Sequence, residues 1–390
     1  MQRKSSNNKH NITQSAFFAL LRAGLWEKEV QLLPYGEIDY SEVMRLAEEQ
    51  SVVGLIAAGI EHVVDVKVPQ IDFLTFEGLA YRFEQQNSAM NAFIGTLISK
   101  MQKAGIYTLL VKGQGIAQCY ERPLWRSCGD IDLFLNDDNY DKAKAFLTPL
   151  ASSVEKEYVR EKHLGMTIDS WVVELHGSLY SGLSSSVEKE LDEVYQDTFY
   201  RGNVRSWMNG NVSVFQLSVE NDAFYVFTHF LQHFFKVGVG LRQICDWCRL
   251  LYTNKDSLNY ERLEQRIRRA GLMSEWKAFG AFAVEYLGMP IEAMPFLDGR
   301  WKMEDGRSVL NARMKKKADR ICDFILEVGN MGHNRDSSYF EKYPYVIRKA
   351  YSLGRRCGDL IRHARIFPLD SIRFLPRIMF NGVVSAIRGE

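Results

Sequence analysis

Two periodicities alternate along the chain. Phe17, Leu20, Leu21 and Leu25 recur at helical spacing, and so do Val43, Leu46 and Ala47 behind the cap-like Ser41. Residues 15–80 therefore read as helices. A long helix is expected over 83–103, with Met90, Phe93, Leu97 and Met101 on one stripe and Gly105 as its left-handed stop. The period then changes. Residues 106–111 form a β-rich run, 115–120 read as helix, and 131–135 are apolar at alternate positions. Asp137 or Asp138 is placed to cap a helix whose face is Ala143, Phe146, Leu147 and Leu150, and a short strand follows over 171–176. Strand, helix, strand, helix, strand describes a small α/β core.

Past that core the chain turns at Gly177 and Gly182 and enters a charged helix over 187–195. Runs at 204–208 and 212–217 flank Asn209-Gly210, the signature of a two-residue hairpin. Ser218 is placed to cap the first of a series of helices. These run to the end, with breaks at Gly238-Val239-Gly240, at 288–290, at Pro295 and at 329–334. The expected division is a helical region over 1–82, an α/β core over 83–217 and a helical domain over 218–390.

Two carboxylates interrupt the apolar run that follows the Lys112-Gly113 turn. On a strand, residues i and i+2 share a face, so Asp130 and Asp132 present their oxygens side by side while Ile131, Leu133 and Leu135 point into a core. Like charges that close repel unless a cation lies between them. Paired hard oxygens suit Mg²⁺, which takes one or two carboxylates together with phosphate oxygens. Glu174 and His176 share one face of the later strand, and Glu174 is placed to join the aspartates around two metal ions. A glycine at 113 exposes backbone N–H groups to a phosphate, Lys112 adds a point charge, and Arg126 offers a two-pronged fork. His176 is a candidate to steer a phosphate or to bond a backbone carbonyl.

Lys112-Gly113, Arg126, Asp130-Ile131-Asp132-Leu133 and Glu174-Leu175-His176 together resemble the motif set of the bacterial uncharacterised nucleotidyltransferase family. That family lies in the polymerase-beta-like nucleotidyltransferase superfamily, which also holds kanamycin nucleotidyltransferase. The likeness covers residues 112–176 and extends more weakly over 238–251. In place of the superfamily's Gly-Ser turn stands Gly113-Gln114, and the gap from Gly113 to Asp130 is longer than usual. The resemblance implies an α+β fold with a polymerase-beta-like core flanked by helical regions. It implies transfer of a nucleoside monophosphate from an NTP to an acceptor hydroxyl, with pyrophosphate released. Asp130, Asp132 and Glu174 would hold Mg²⁺ or Mn²⁺, and Glu174 or Asp132 would take the acceptor proton. Lys112, Gly113, Arg126 and His176 would bind the nucleotide, joined by Lys236 and Arg242 from helices behind the core, with Asp246 orienting Arg242. Two rivals stand beside this: an enzyme that adenylylates a partner protein, as in toxin–antitoxin pairs, and a non-catalytic nucleotide-binding protein.

His229 and His233 at i, i+4, with Cys245 and Cys248, also match zinc-ligand spacing. A CxxC on one turn of an apolar helix reads more simply as two buried small hydrophobes.

Composition narrows the rest. At 390 residues, 46% hydrophobic and 25% charged, the chain is an ordinary globular protein of two or three domains. A net charge of +1 argues against bulk nucleic-acid binding. The six scattered cysteines fit a reducing compartment, no apolar run reaches membrane-spanning length, and Arg22 interrupts residues 16–21 too soon for a secretion signal. The cytoplasm is the expected location, and the polar residues 1–14 are expected to fray. The last fifty residues are basic, with Arg348, Lys349, Arg355, Arg356, Arg362, Arg365, Arg373 and Arg377 interleaved with Tyr351, Phe367, Phe374, Ile378 and Phe380. That pattern fits RNA, an anionic membrane surface, a second subunit or, most simply, a helix pair covering the protein's own core.

Overall fold

The computed structural model describes residues 2–297, 301–304, 307–310, 312–334, 344–369, 371–374 and 376. The helical periodicity at the start becomes α1 (Gln2–Trp26), α2 (Tyr40–Glu49), α3 (Val53–Glu61) and α4 (Gln70–Lys103). The polar beginning is helical from Gln2, where fraying was expected. Asp39, not Ser41, caps α2, its carboxylate accepting from the N–H groups of Ser41 and Glu42. Helix α3 is apolar on all sides and buried from Val53 to Ile60, so it sits inside a helical layer. It crosses α1 with almost no room: a Cβ on Gly59 would lie 2.0 Å from the Leu20 carbonyl oxygen, and one on Gly24 would lie 1.8 Å from that of Leu55.

Helix α4 starts thirteen residues before the expected position and links two cores. Phe76 and Ala80 pack with the N-terminal helices, while Met90, Ile94, Leu97, Ile98 and Met101 cover a sheet. The expected boundary at 82–83 thus falls inside one continuous helix. Gly105, at φ +70°, follows the helix end.

The chain continues through β1 (Leu109–Val111), α5 (Gly113–Ala117), β2 (Asp130–Phe134), α6 (Asp137–Leu147), β3 (Ser153–Val154), β4 (His163–Ile168) and β5 (Trp171–His176). Asn136, not Asp137 or Asp138, caps α6, and Leu150 lies beyond its end and is exposed. After α7 (Ser185–Phe199) come β6 (Val204–Asn209) and β7 (Val212–Leu217), the hairpin read from Asn209-Gly210, with Gly210 at φ +60°. The seven strands form one mixed sheet in the order β3-β4-β5-β2-β1-β7-β6. Strand β2 is antiparallel to β1 and parallel to β5, and β1 runs parallel to β7.

Side chains alternate between the two faces of this sheet. Leu110, Ile131, Leu133, Val173, Leu175 and Val214 face α4 and α6. Leu109, Val111, Phe134 and Leu217 face the other way, into the larger core with the C-terminal helices. Those helices are α8 (Val219–Lys236), α9 (Leu241–Thr253), α10 (Tyr260–Ala270), α11 (Met273–Leu287), α12 (Ala312–Val328) and α13 (Tyr345–Ile366), with a hairpin of β8 (Trp301–Glu304) and β9 (Arg307–Leu310) between α11 and α12. Phe227, Phe230 and Phe234 on α8, Trp247 on α9 and Trp276 on α11 are fully buried there, each such side chain contributing about 1.5–3 kcal/mol. The fold is α+β: one mixed sheet with helices on both sides.

The described part of the basic C-terminal segment packs on this body. Phe367 and Phe374 are fully buried, Arg362 pairs with Glu327 at 2.8 Å, and Arg373 donates to the carbonyls of Ala270 and Gly271. Arg377, Ile378 and Phe380 lie outside the described residues, as do the side chains of Arg348, Lys349, Tyr351 and Arg356. Among the described residues no helix is long and apolar enough to cross a membrane.

Candidate active site

The register of the sheet assembles the acids. Asp132 stands opposite Glu174 across the β2–β5 pair and opposite Val111 across β1. Because Ile131, Leu133, Val173 and Leu175 fill the opposite face, Asp130, Asp132, Glu174 and His176 all point toward the C-terminal helices. Carboxylate oxygens of Asp130, Asp132 and Glu174 lie within 4.8 Å of one another.

Three cationic or potentially cationic groups answer them. Lys112 Nζ lies 2.7 Å from Asp132 Oδ1, and His176 Nε2 lies 2.7 Å from the same oxygen. His163, from β4, approaches Glu174 Oε2 at 3.1 Å. Asp132 is only 2% exposed, and burial pushes its pKa up. Lys112 and His176 overcome that and hold it below the ordinary value. Asp130 is raised, chiefly by the neighbouring Asp132 charge and then by burial. Hydrogen bonds from His163 and His176 hold Glu174 far below its usual range. His176 is raised, because Asp132 and Glu174 outweigh its burial. Two carboxylates this close disfavour each other's charged form, a repulsion that a bound cation would relieve. All the convergent donors of the trio are carboxylate oxygens, the set that suits Mg²⁺. Asp130, Asp132 and Glu174 therefore fit divalent-cation binding.

Lys112 occupies the turn between β1 and α5 at φ +57°, ψ −147°, a region that side chains with a Cβ rarely adopt. Gly113 follows at φ +42°, buried, where a Cβ would meet Cys128 Sγ at 3.3 Å and the Asp130 carbonyl at 3.4 Å. Helix α5 has five residues, a single turn.

The remaining nucleotide-binding candidates divide. Arg126 is 5% exposed and spends its fork on Asp246, with Nε–Oδ1 at 3.0 Å and Nη2–Oδ2 at 2.6 Å, while Nη1 donates to the Ser127 carbonyl. Tyr120 donates its hydroxyl to the same aspartate at 2.7 Å. Asp246 thus holds Arg126, and the expected Asp246–Arg242 pairing is replaced by a bond from Arg242 Nη1 to the Ser127 carbonyl at 2.8 Å. Arg242 nevertheless stands close enough for its charge to lower Asp130. Lys236 donates to the Ser181 carbonyl at 2.8 Å and its charge reaches His233.

Sequence reasoning passed over His163 and Tyr225 and the position of His229 beside Lys112. His229 Nε2 lies 3.5 Å from Lys112 Nζ and 3.3 Å from His233 Nε2. Burial, then the Lys112 charge, drives both histidines down, His233 to about 4, so this wall is neutral. Cys245 and Cys248 are fully buried hydrophobes whose thiols burial pushes up; among the described residues neither belongs to a convergent ligand group, and no zinc set forms.

A glycine turn, a paired-acid strand and a third acid on the adjacent parallel strand now stand in one place. The model of the family described as "Uncharacterised nucleotidyltransferase" matches residues 36–288, well over half of the chain. The chain belongs to the uncharacterised nucleotidyltransferase family. No curated protein and no solved structure gives a significant match. Family membership makes nucleotidyl transfer the general activity and a nucleotide the substrate. The match runs from α2 to the end of α11, so α2–α4 and the α8–α11 layer fall within the same matched stretch as the sheet, and α1 lies ahead of it.

Proposed function

We propose that this nucleotidyltransferase moves a nucleoside monophosphate from an NTP to an acceptor hydroxyl by in-line displacement, releasing pyrophosphate. The observation that carries the reading is the convergence of Asp130, Asp132 and Glu174 beside Lys112 at the mouth of a glycine turn. Asp130 and Asp132 would hold two Mg²⁺ or Mn²⁺ ions and Glu174 one of them. When bound, such ions neutralise phosphate charge and clamp the attacking and leaving oxygens. Lys112 is the point charge at the buried end of the site, free to exchange Asp132 for a phosphate oxygen. The N–H groups after Gly113 line the turn, and Arg242 and Lys236 supply positive charge from the helical side. Glu174, 27% exposed where Asp132 is 2%, is the carboxylate that an acceptor hydroxyl can reach. Arg126 acts at one remove, by fixing the loop that leads into β2. Its donors are taken by Asp246 and Ser127.

Positioning and charge neutralisation dominate such chemistry, so loss of the metal carboxylates should cost orders of magnitude in rate. The four NTPs are incubated with Mg²⁺ or Mn²⁺, with and without cell extract, and pyrophosphate is read. Asp130→Asn combined with Asp132→Asn is expected to keep the fold and lose the metal-dependent release. Unchanged release in that variant removes the mechanism.

A further inference from the structure

Glu174 belongs to a second convergent group as well. His163 stands directly opposite His176 in the antiparallel β4–β5 register. Both imidazoles aim Nε2 at one oxygen, Glu174 Oε2, from 3.1 Å and 3.4 Å, and the three ligand atoms lie within 4.8 Å of one another. The rings are tilted by 37° with centroids 4.8 Å apart, so they converge without stacking flat. His163 and Glu174 are about a quarter exposed and His176 is 14% exposed, which leaves the group open on one side.

The donor chemistry differs from that of the aspartate pair. Imidazole nitrogen is a poor ligand for Mg²⁺ and a good one for first-row transition ions. Metal–nitrogen and metal–oxygen bonds of about 2.1 Å put neighbouring donors about 3.0 Å apart at a right angle and about 3.4 Å at the tetrahedral angle. The observed 3.1 Å and 3.4 Å separations fall on those two values. Two histidines, one carboxylate and an open side make the ligand set of a reactive metal centre rather than a closed structural one. Without a metal, each histidine has one carboxylate partner, His163 with Glu174 and His176 with Asp132, and a cation would take these nitrogens in place of their protons. His176 Nε2 bonds Asp132 Oδ1 at 2.7 Å and also faces Glu174 Oε2 at 3.4 Å, so the one nitrogen stands between the two carboxylates that the two cation positions would share.

We propose that His163, Glu174 and His176 form a second cation site, bridged to the Asp130–Asp132 pair through Glu174, that takes a first-row transition ion in preference to Mg²⁺. The site gives the enzyme unequal metal positions: an all-oxygen one set by β2 and a nitrogen-containing one set by the β4–β5 hairpin. This inference stands without nucleotidyl transfer, because binding is read with no nucleotide present.

The test uses the full chain, untagged and stripped with chelator, titrated with Co²⁺ in saturating Mg²⁺. A visible d–d absorption band is expected to saturate at one ion per chain. His163→Gln should abolish the band or weaken Co²⁺ binding by more than about tenfold. His163→Cys should restore binding and add a thiolate-to-cobalt charge-transfer band in the near ultraviolet, which shows the hairpin still folded. Asp130→Asn should leave the visible band in place. The proposal is overturned by the absence of a band in the unaltered protein, by a band that His163→Gln leaves unchanged, or by one that only Asp130→Asn removes. A protein that binds Co²⁺ in this way but releases no pyrophosphate keeps this inference and loses the transfer reading; the reverse result does the opposite.

Discussion

Replacing Lys112 by Met tests how the acid cluster is held together before any metal arrives. Lys112 Nζ lies 2.7 Å from Asp132 Oδ1, and Asp132 is 2% exposed. Removing one partner of a buried ion pair costs about 3–5 kcal/mol, because the other charge stays buried. Protonation of Asp132 sets a ceiling on that cost. An aspartate with an ordinary pKa of about 3.9 requires about 4 kcal/mol to be protonated at pH 7 and about 1.5 kcal/mol at pH 5. In the parent protein Asp132 sits below its ordinary value, so its stabilising contribution is present above the unfolded pKa and is lost only as pH falls through the lower folded one. In the Met variant Asp132 moves upward, and the destabilisation grows as pH rises. Urea unfolding in chelator is therefore expected to show Lys112→Met weaker than the parent at both pH values, with a deficit up to about 2.7 kcal/mol larger at pH 7 than at pH 5. Mg²⁺ supplies the missing positive charge, so it should raise the variant's midpoint more than the parent's. A deficit independent of pH, or equal Mg²⁺ shifts in both proteins, refutes the account.

Arg126→Ala strips a buried partner from Asp246 and should cost about 3–5 kcal/mol in urea unfolding, with Arg126→Lys restoring only part, since a lysine cannot supply the two-pronged bond. Gly59→Ala forces a Cβ to within 2.0 Å of the Leu20 carbonyl oxygen and is expected to destabilise by about 3 kcal/mol or more, read as a lowered melting temperature. Gly78→Ala, in the interior of α4 with nothing within 4 Å, should instead stabilise by about 0.5–1 kcal/mol in the same measurement.

The strands that carry the acids were legible because their periodicity is clean. Ile131, Leu133, Val173 and Leu175 alternate with Asp130, Asp132 and Glu174, and Asn209-Gly210 marks its hairpin without ambiguity. The β3–β4 edge was not read, though Leu164, Met166 and Ile168 alternate just as strictly. The turn from β4 into β5 is Asp169-Ser170, where both residues take positive φ without a glycine, so the usual punctuation is missing and His163 went unseen with it. The capping misreadings have a local cause: Asp39 and Asn136 are equally good side-chain acceptors beside Ser41 and Asp137, and only the geometry chooses. Asp246 was read with Arg242 from their spacing on one helix. Its actual partner, Arg126, is 120 residues away, a pairing that no local spacing encodes.

That long-range pairing explains how a residue with no donor to spare can still matter at the site. Asp246 on α9 grips the Arg126 guanidinium, Asn87 on α4 donates to the Arg126 carbonyl at 2.8 Å, and Arg242 donates to the next carbonyl, Ser127. Two helices, α4 and α9, therefore fix two consecutive peptide units just ahead of Asp130. The loop cannot slide along β2 without breaking a buried charge-assisted pair, and a one-residue slip would turn Asp130 and Asp132 into the hydrophobic face. Register at β2 is what brings Asp132 opposite Glu174. The acid-bearing face is thus set by a clamp outside the site, while Lys112 and His176 pair with Asp132 from within.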